Sequence, residues 1–302
     1  MKLSEHYKEY SRDFSYLDAE LNADNAEKMF DIWSSRYSRF LKNASEENKM
    51  EMISRSIRSR RELMTSALLW AEAKHTRGTG CISAYYYLRY YSLFHAMWSV
   101  LFLNPELDRK IVEITHSKLK NVFCSYYAQY DYCVFDKDLA EFIESVKNYR
   151  ETYSYNRPNN LMHMPESENK QERVLLTCYQ LTNLFTSMLR SKLPFVDISM
   201  DNQKTMIKEF SYFNGHRLED GSYEFDPFEE NILIESIRDG MCVTELEWVL
   251  GHDWDELGYN SELNEFFDAA AVDRIKKEAI SFIYASITFP MGFGVPDHLS
   301  PA

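Results

Sequence analysis

The feature that most constrains this chain is an apolar helix in its middle, ISAYYYLRYYSLFHAMWSVLFL at residues 82–103. Apolar and aromatic residues surround it on nearly every side, which is typical of a helix buried by its neighbours. Two glycines precede it in the segment RGTG, and Asn104-Pro105 ends it. Its length would suffice to span a membrane, but Arg89, His95 and the many tyrosines favour a core helix.

Helical periodicity continues on both sides of this segment. It predicts helices over residues 25–42, 46–75, 116–130, 136–153 and 168–192, with Asp136 as the N-cap of the fourth. No β-branched runs alternate with the helices, so a parallel sheet is not expected. After Pro194, the turn pairs Asn214-Gly215 and Asp220-Gly221 make a small hairpin possible. The sequence therefore predicts a mainly α fold.

The negative charge of the chain is concentrated in its last third. The net charge is −13, but residues 1–200 hold 27 Lys/Arg and 26 Asp/Glu, whereas residues 201–302 hold 7 and 21. The total argues against a broad nucleic-acid or anionic-membrane surface. Because the first two thirds are nearly neutral, a local RNA contact there is still electrostatically permitted.

The N-terminal sequence and the cysteines both favour a cytoplasmic protein. MKLSEHYKEYSRDF has no apolar signal core, and five cysteines without a C-x-x-C pair fit a reducing compartment. The segment HDWDE at residues 252–256 contains metal-ligand residue types but no second cluster supports it, so we predict neither a metal nor a cofactor.

The densest basic run of the chain lies on the helix over residues 46–75 and contains Arg55, Arg58, Arg60 and Arg61. One interpretation is a solvated helix face. The other is a stripe of side chains that contact phosphates, in which Arg55, Arg58 and Arg61 bind RNA.

Three segments, in order and spacing, resemble the HEPN superfamily of small all-helical domains. SAYYYLRYYSLFHAMWSVLFL is similar to the central helix of the family, with its Ala-Tyr-Tyr…Phe-His-Ala signature. THSKLKNVF at Thr115–Phe123 is similar to the Ser/Thr-His-Lys segment that opens the next helix. YRETYSY at Tyr149–Tyr155 is similar to the Arg-x-x-Ala-Asp-Tyr end of the third helix.

The resemblance implies an antiparallel helical bundle, usually a homodimer, with a link to RNA cleavage in toxin–antitoxin or anti-phage systems. It covers about residues 62–195. We therefore divide the chain into an N-terminal helical extension (1–61), a HEPN-like bundle (62–195) and an acidic, mostly helical C-terminal region (196–302).

In active members of this family, an Arg and a His four to six residues apart cleave RNA without a metal. Here Arg150 occupies the Arg position, but Tyr155 stands where the His is expected, and a phenol is a poor base at neutral pH. Arg157 and His163 form a second pair with a permitted spacing. His116, near a helix start, either bonds to the cap region or lines the cleft. Arg150 is either a structural arginine or a phosphate contact.

Three functions stay open at this point. The first is a HEPN-like effector that cleaves RNA, and the second is a non-catalytic HEPN-like module that dimerises and binds nucleotides or RNA for another enzyme. The third is an unrelated helical scaffold. Whether the chain is an enzyme is uncertain. The acidic region at 201–302 is expected either to inhibit a basic cleft or to dock a basic partner, such as a cognate antitoxin or defence-system protein.

Overall fold

The computed structural model describes residues 14–108, 110–111, 114–130, 132–156, 167–193, 216–220 and 222–224. Within these residues the protein is mainly α, as the sequence predicts. The helices are α1 (Ser15–Glu20), α2 (Ala23–Asn43), α3 (Glu46–Gly78), α4 (Ile82–Phe102), α5 (His116–Tyr127), α6 (Leu139–Glu151) and α7 (Ser167–Lys192). A π-helical turn (Thr152–Asn156) continues α6, and two strands, β1 (His216–Arg217) and β2 (Tyr223–Glu224), pair antiparallel.

Local signals in the sequence determine several helix ends. The side chains of Asn22 and Ser45 accept hydrogen bonds from the backbone N–H groups of Asn25 and Asn48, so they cap α2 and α3. Gly80, between α3 and α4, has φ +80°, a conformation that favours glycine. The predicted N-cap of α6 is Asp136, whereas the residue that precedes the helix is Asp138, whose side chain makes no capping hydrogen bond.

Helices α3 and α4 form an antiparallel hairpin. Arg55, early in α3, reaches the last residues of α4, whereas Ser66, further along α3, donates to the backbone oxygen of Ser92 at 2.6 Å. The two helices therefore contact each other along most of the length of the hairpin.

Helix α7 packs beside this hairpin and runs parallel to α4. Near its start, Gln171 Oε1 accepts a 2.7 Å hydrogen bond from Arg89, and further along Thr182 bonds to Ser99 at 2.9 Å. Cys178 is fully buried on the same helix. Helix α7 thus joins the helices into one core.

The N-terminal helices share this core. The backbone N–H of Leu17 in α1 donates to Gln180 Oε1 at 2.9 Å, and the ring of Trp33 in α2 lies 4.6 Å from that of Phe185. Helix α3 is continuous through residues 61 and 62, where the sequence analysis divides the chain. The residues before 62 therefore pack with those after it.

Helices α5 and α6 pack against α4 and against each other. Tyr86 of α4 stacks on Tyr149 and Tyr153, with ring centroids 5.4 and 4.4 Å apart, and Lys120 of α5 pairs with Glu144 of α6 at 2.7 Å. This arrangement brings the middle of α4, the start of α5 and the end of α6 together. Of the predicted C-terminal region, only residues 216–220 and 222–224 are described, so the HDWDE segment and the predicted helical content of this region lie outside the described residues.

Candidate functional site

A cluster of polar and aromatic side chains forms where α4, α5 and α6 meet. We call it the Arg150 cluster; it consists of Tyr90, Tyr91, Phe94, His116, Arg150 and Tyr155. Tyr90 and Phe94 are four residues apart, so they lie on one face of α4. His116 is the first residue of α5, and Arg150 lies in the last turn of α6.

The His116 ring is held by two aromatic side chains of α4. Its centroid lies 4.1 Å from that of Phe94 at an interplanar angle of 16°, and 5.7 Å from that of Tyr90 at 9°. Its Nδ1 atom lies 2.7 Å from the hydroxyl oxygen of Tyr90. Although the residue is exposed, these contacts limit the orientations that the imidazole can adopt.

Arg150 lies among three tyrosine rings. Its guanidinium carbon is 4.8 Å from the ring centre of Tyr90 and 5.9 Å from those of Tyr91 and Tyr155. Nη2 approaches Glu151 Oε1 at 3.3 Å. The side chain is only 13% exposed, and its buried Nε has no hydrogen-bond partner within the described residues. Cation–π contacts with three rings and one approach to a carboxylate therefore surround this charge.

The electrostatics of the cluster favour a neutral imidazole beside a permanent cation. Burial, the charge of Arg150 and more distant positive groups lower the pKa of His116 from its ordinary 6.5. Burial raises the pKa of Tyr90 to about 12, although Arg150 acts in the opposite direction. At neutral pH the site therefore presents an unprotonated His116, a protonated phenol and a guanidinium.

A second histidine lies nearby on α4. His95 Nδ1 bonds to Glu62 Oε2 of α3, and Arg58 pairs with the same carboxylate at 2.7 Å. Burial by itself would raise the pKa of Glu62, but the hydrogen bond from His95 and the charge of Arg58 hold it below its ordinary value. His95 is thus a satisfied histidine whose partner is a buried carboxylate.

The structure brings together three of the residues predicted from the sequence: Arg150, Tyr155 and His116. Tyr155 lies in the π-helical turn and is 73% exposed. The pairing of Arg150 with His116, 34 positions apart, lies outside any spacing motif. Arg157 and His163, the alternative pair, lie outside the described residues.

The arginines of α3 do not form one exposed stripe. Arg55 is 2% exposed and donates through Nε to Phe102 O, through Nη1 to Leu107 O and through Nη2 to Asn104 O, each at 2.8 Å. Its guanidinium is therefore not available to a phosphate, which corrects its predicted RNA contact. Of the other two predicted contacts, Arg58 is 38% exposed but bound to Glu62, and Arg61 is half-buried.

Tyr90 and Phe94 are site residues that the sequence does not predict. Both belong to the apolar central helix, whose composition predicts only burial. Their i, i+4 spacing marks a shared face, but it gives no indication that a histidine from α5 packs there.

Other parts of the described structure offer less chemistry. A depression of about 290 Å³ beside α7 contains Lys170 and Arg173, but Lys170 pairs with Asp138 at 2.6 Å and Arg173 pairs with Glu20. Among the described residues, no group of three His, Cys, Asp or Glu side chains is arranged to hold a metal ion. None of the described helices combines the length and apolarity that a membrane span requires.

Comparison of the chain with models of protein families, with curated proteins and with solved structures gives no match. The fold and the site therefore define the class of this protein by its chemistry. It is a mainly α protein in which a histidine and an arginine both contact one buried tyrosine.

Proposed function

We propose that this chain is a HEPN-like effector of a prokaryotic toxin–antitoxin or anti-phage defence system that cleaves RNA without a metal. The observation that carries the proposal is the convergence of His116 and Arg150 on Tyr90. The order of the three HEPN-like segments supports it, because each of these segments supplies part of the Arg150 cluster.

The chemistry of metal-free RNA cleavage matches the groups in the cluster. A base removes the proton of the ribose 2′-hydroxyl, whose oxygen then forms a bond to phosphorus as the bond to the 5′-oxygen breaks. Neutral His116 is suited to be that base, and Arg150 to stabilise the charge that develops on the phosphate oxygens. The departing 5′-oxygen takes a proton from water, and a 2′,3′-cyclic phosphate remains.

This assignment differs from the one that the sequence motif suggests. The base is His116 from the start of α5, and Tyr155 has a binding role instead. Because Tyr155 is exposed and its ring lies 5.9 Å from the Arg150 guanidinium, a nucleobase stacked on it would place its phosphate close to the arginine.

Local charge is compatible with an RNA ligand. Lys120 and Lys147 lie on α5 and α6, where both pair with Glu144 at 2.7 and 3.1 Å. Lys118 is exposed two residues after His116 on the same helix. The surface is thus mixed with a slight excess of cations, which suits a weak, salt-dependent contact.

We also propose that the protein is a homodimer, since the resemblance implies that two copies together form the cleft. The exposed face of α4 supports this assembly, because Tyr87 is 47% exposed beside the Arg150 cluster. A cognate antitoxin or defence-system protein is proposed to dock on the acidic region at 201–302. Light scattering of the purified full chain tests the dimer.

Two observations favour a second candidate, a non-catalytic module that binds RNA or nucleotides for a partner enzyme. Arg150 is engaged by three rings and approaches Glu151, and the family His position holds Tyr155. A protein of this kind would bind RNA through the same residues but leave it intact.

The experiment uses the purified full chain, RNA from its host and an excess of EDTA, with sequencing of the RNA ends. We expect cleavage with EDTA present and 2′,3′-cyclic phosphate ends. His116→Ala should slow cleavage about 10²–10⁴-fold, and Arg150→Ala about 10²–10³-fold. The exposed His75 and Arg173 provide matched controls, and their Ala variants should retain wild-type rates.

Three results would decide against the effector. If EDTA abolishes cleavage, or if both site variants cleave as the wild type does, the assigned chemistry is wrong. If the wild type binds RNA without cleaving it and Arg150→Ala weakens that binding, the non-catalytic module is the better description.

A further inference from the structure

We propose that Tyr90 is the positioning residue of this site: its hydroxyl sets the orientation and tautomer of His116, and its ring sets the place of Arg150. The inference rests on the proposed function for its consequence in RNA cleavage. The contacts of Tyr90 with His116 and Arg150 lie within this chain, and they are tested separately from RNA cleavage.

The two functional groups contact different parts of one side chain. His116 Nδ1 lies 2.7 Å from the Tyr90 hydroxyl oxygen, whereas the Arg150 guanidinium lies over the ring, 4.8 Å from its centre. A change at Tyr90 can therefore separate the two contacts: loss of the hydroxyl affects His116, and loss of the ring affects both.

Tyr90 is suited to this role because its own position is fixed. It is 4% exposed, and the adjacent turn of α4 is bound to α7 through a buried amide. Gln171 accepts from Arg89 Nε at 2.7 Å and donates to the backbone oxygen of Arg89 at 2.8 Å. The site is thus built on a rigid element rather than on a loop, as precise positioning requires.

The Tyr90 hydroxyl can donate to Nδ1 or accept from it, so the direction of this hydrogen bond decides which nitrogen of His116 can accept a proton. We assign Nδ1–H as the donor to the Tyr90 oxygen, which leaves the lone pair on Nε2 of this exposed residue. Loss of the hydroxyl would free the imidazole to adopt the other tautomer, whose Nε2 carries a hydrogen and cannot act as a base.

The test compares Tyr90→Phe with Tyr90→Leu in the full chain. Nitrogen-15 NMR of the imidazole, assigned by its disappearance in His116→Gln, reports the tautomer and the titration of His116. We expect the Nδ1–H tautomer in the wild type and a shift toward the Nε2–H tautomer in Tyr90→Phe. Tyr130→Phe is the matched control, since Tyr130 is 49% exposed and stacks on Tyr132 rather than on a residue of the Arg150 cluster.

Kinetics add a readout that a merely structural role would not produce. Tyr90→Phe should lower kcat about tenfold, the loss of one hydrogen bond, with KM for RNA unchanged. Tyr90→Leu should also raise KM, because Arg150 loses its platform. Circular dichroism establishes that both variants are folded, and if Tyr90→Leu does not fold, Tyr90→Phe alone decides.

The outcomes distinguish this inference from the proposed function. If Tyr90→Phe leaves the tautomer and titration of His116 unchanged, the positioning role is wrong even where RNA is cleaved. If the wild type does not cleave RNA but Tyr90→Phe shifts the tautomer, the positioning inference stands and the proposed function fails.

Discussion

The burial of Arg55 leads to a quantitative prediction about stability. Its guanidinium donates to three backbone oxygens at the end of α4 and in the turn that follows. Carbonyls at a helix C-terminus have no partner within the helix. Arg55→Ala should therefore leave these oxygens and the nearby carboxylate of Glu51, 3.8 Å away, without their cation.

The size of the effect follows from the number and burial of these bonds. A hydrogen bond to a charged group contributes about 1.5–3 kcal/mol, so three such bonds set an upper range of about 4.5–9 kcal/mol. Water can enter the space that alanine leaves, which reduces the loss. We expect a destabilisation of about 3–5 kcal/mol, the range for breaking a buried charge pair.

Urea unfolding followed by circular dichroism measures this loss. The control is Lys74→Ala on the same helix, because Lys74 forms an exposed ion pair with Glu172 and should contribute at most about 1 kcal/mol. The reasoning is refuted if Arg55→Ala lies within 1 kcal/mol of the wild type. If Arg55→Ala instead loses RNA affinity at unchanged stability, Arg55 belongs to the predicted stripe of side chains that contact phosphates.

Three further predictions concern other groups. Gln171→Leu should destabilise the fold by about 3 kcal/mol, because it removes the amide that holds the buried guanidinium of Arg89; urea unfolding measures this, and a change below 1 kcal/mol would contradict it. Burial raises the pKa of the Cys178 thiol, so alkylation should modify Cys178 only in urea, whereas the exposed Cys81 should react in the native protein. Mass spectrometry after alkylation measures this. Modification of Cys178 in the native protein at the rate of Cys81 would be inconsistent with its burial. Because the pKa of His116 is lowered below 6.5, the base stays neutral at pH 7 and the cleavage rate should fall only as the pH drops below about 6.5; a rate already falling between pH 8 and 7 would assign the base to another group.

The helices of this protein are largely predictable because their signals are local. The apolar stripes, the Asn104-Pro105 pair and the glycines before α4 act within a few residues. The sequence predicts Asp136 as the N-cap of α6, but Asp138 precedes the helix. Both aspartates stand before the same apolar pattern, and only the packed helix decides where it begins.

The candidate site is only half predictable. Arg150 lies at the border of an apolar stripe, and a charged group there is expected to have a partner. The resemblance also predicts His116 and Tyr155 as site residues. Nothing local indicates that His116 and Arg150 share Tyr90, because their meeting depends on how α5 and α6 pack against α4.

The sequence by itself determined a mainly α chain with a buried central helix, because hydrophobic periodicity and turn chemistry act over short distances. Only the tertiary structure decided the role of each polar residue. Arg55 lies inside because the end of α4 presents carbonyls to it, and Arg150 lies among tyrosines because three helices converge there. Burial and hydrogen bonding of a charged side chain depend on partners far away in sequence, and a one-dimensional pattern does not contain them.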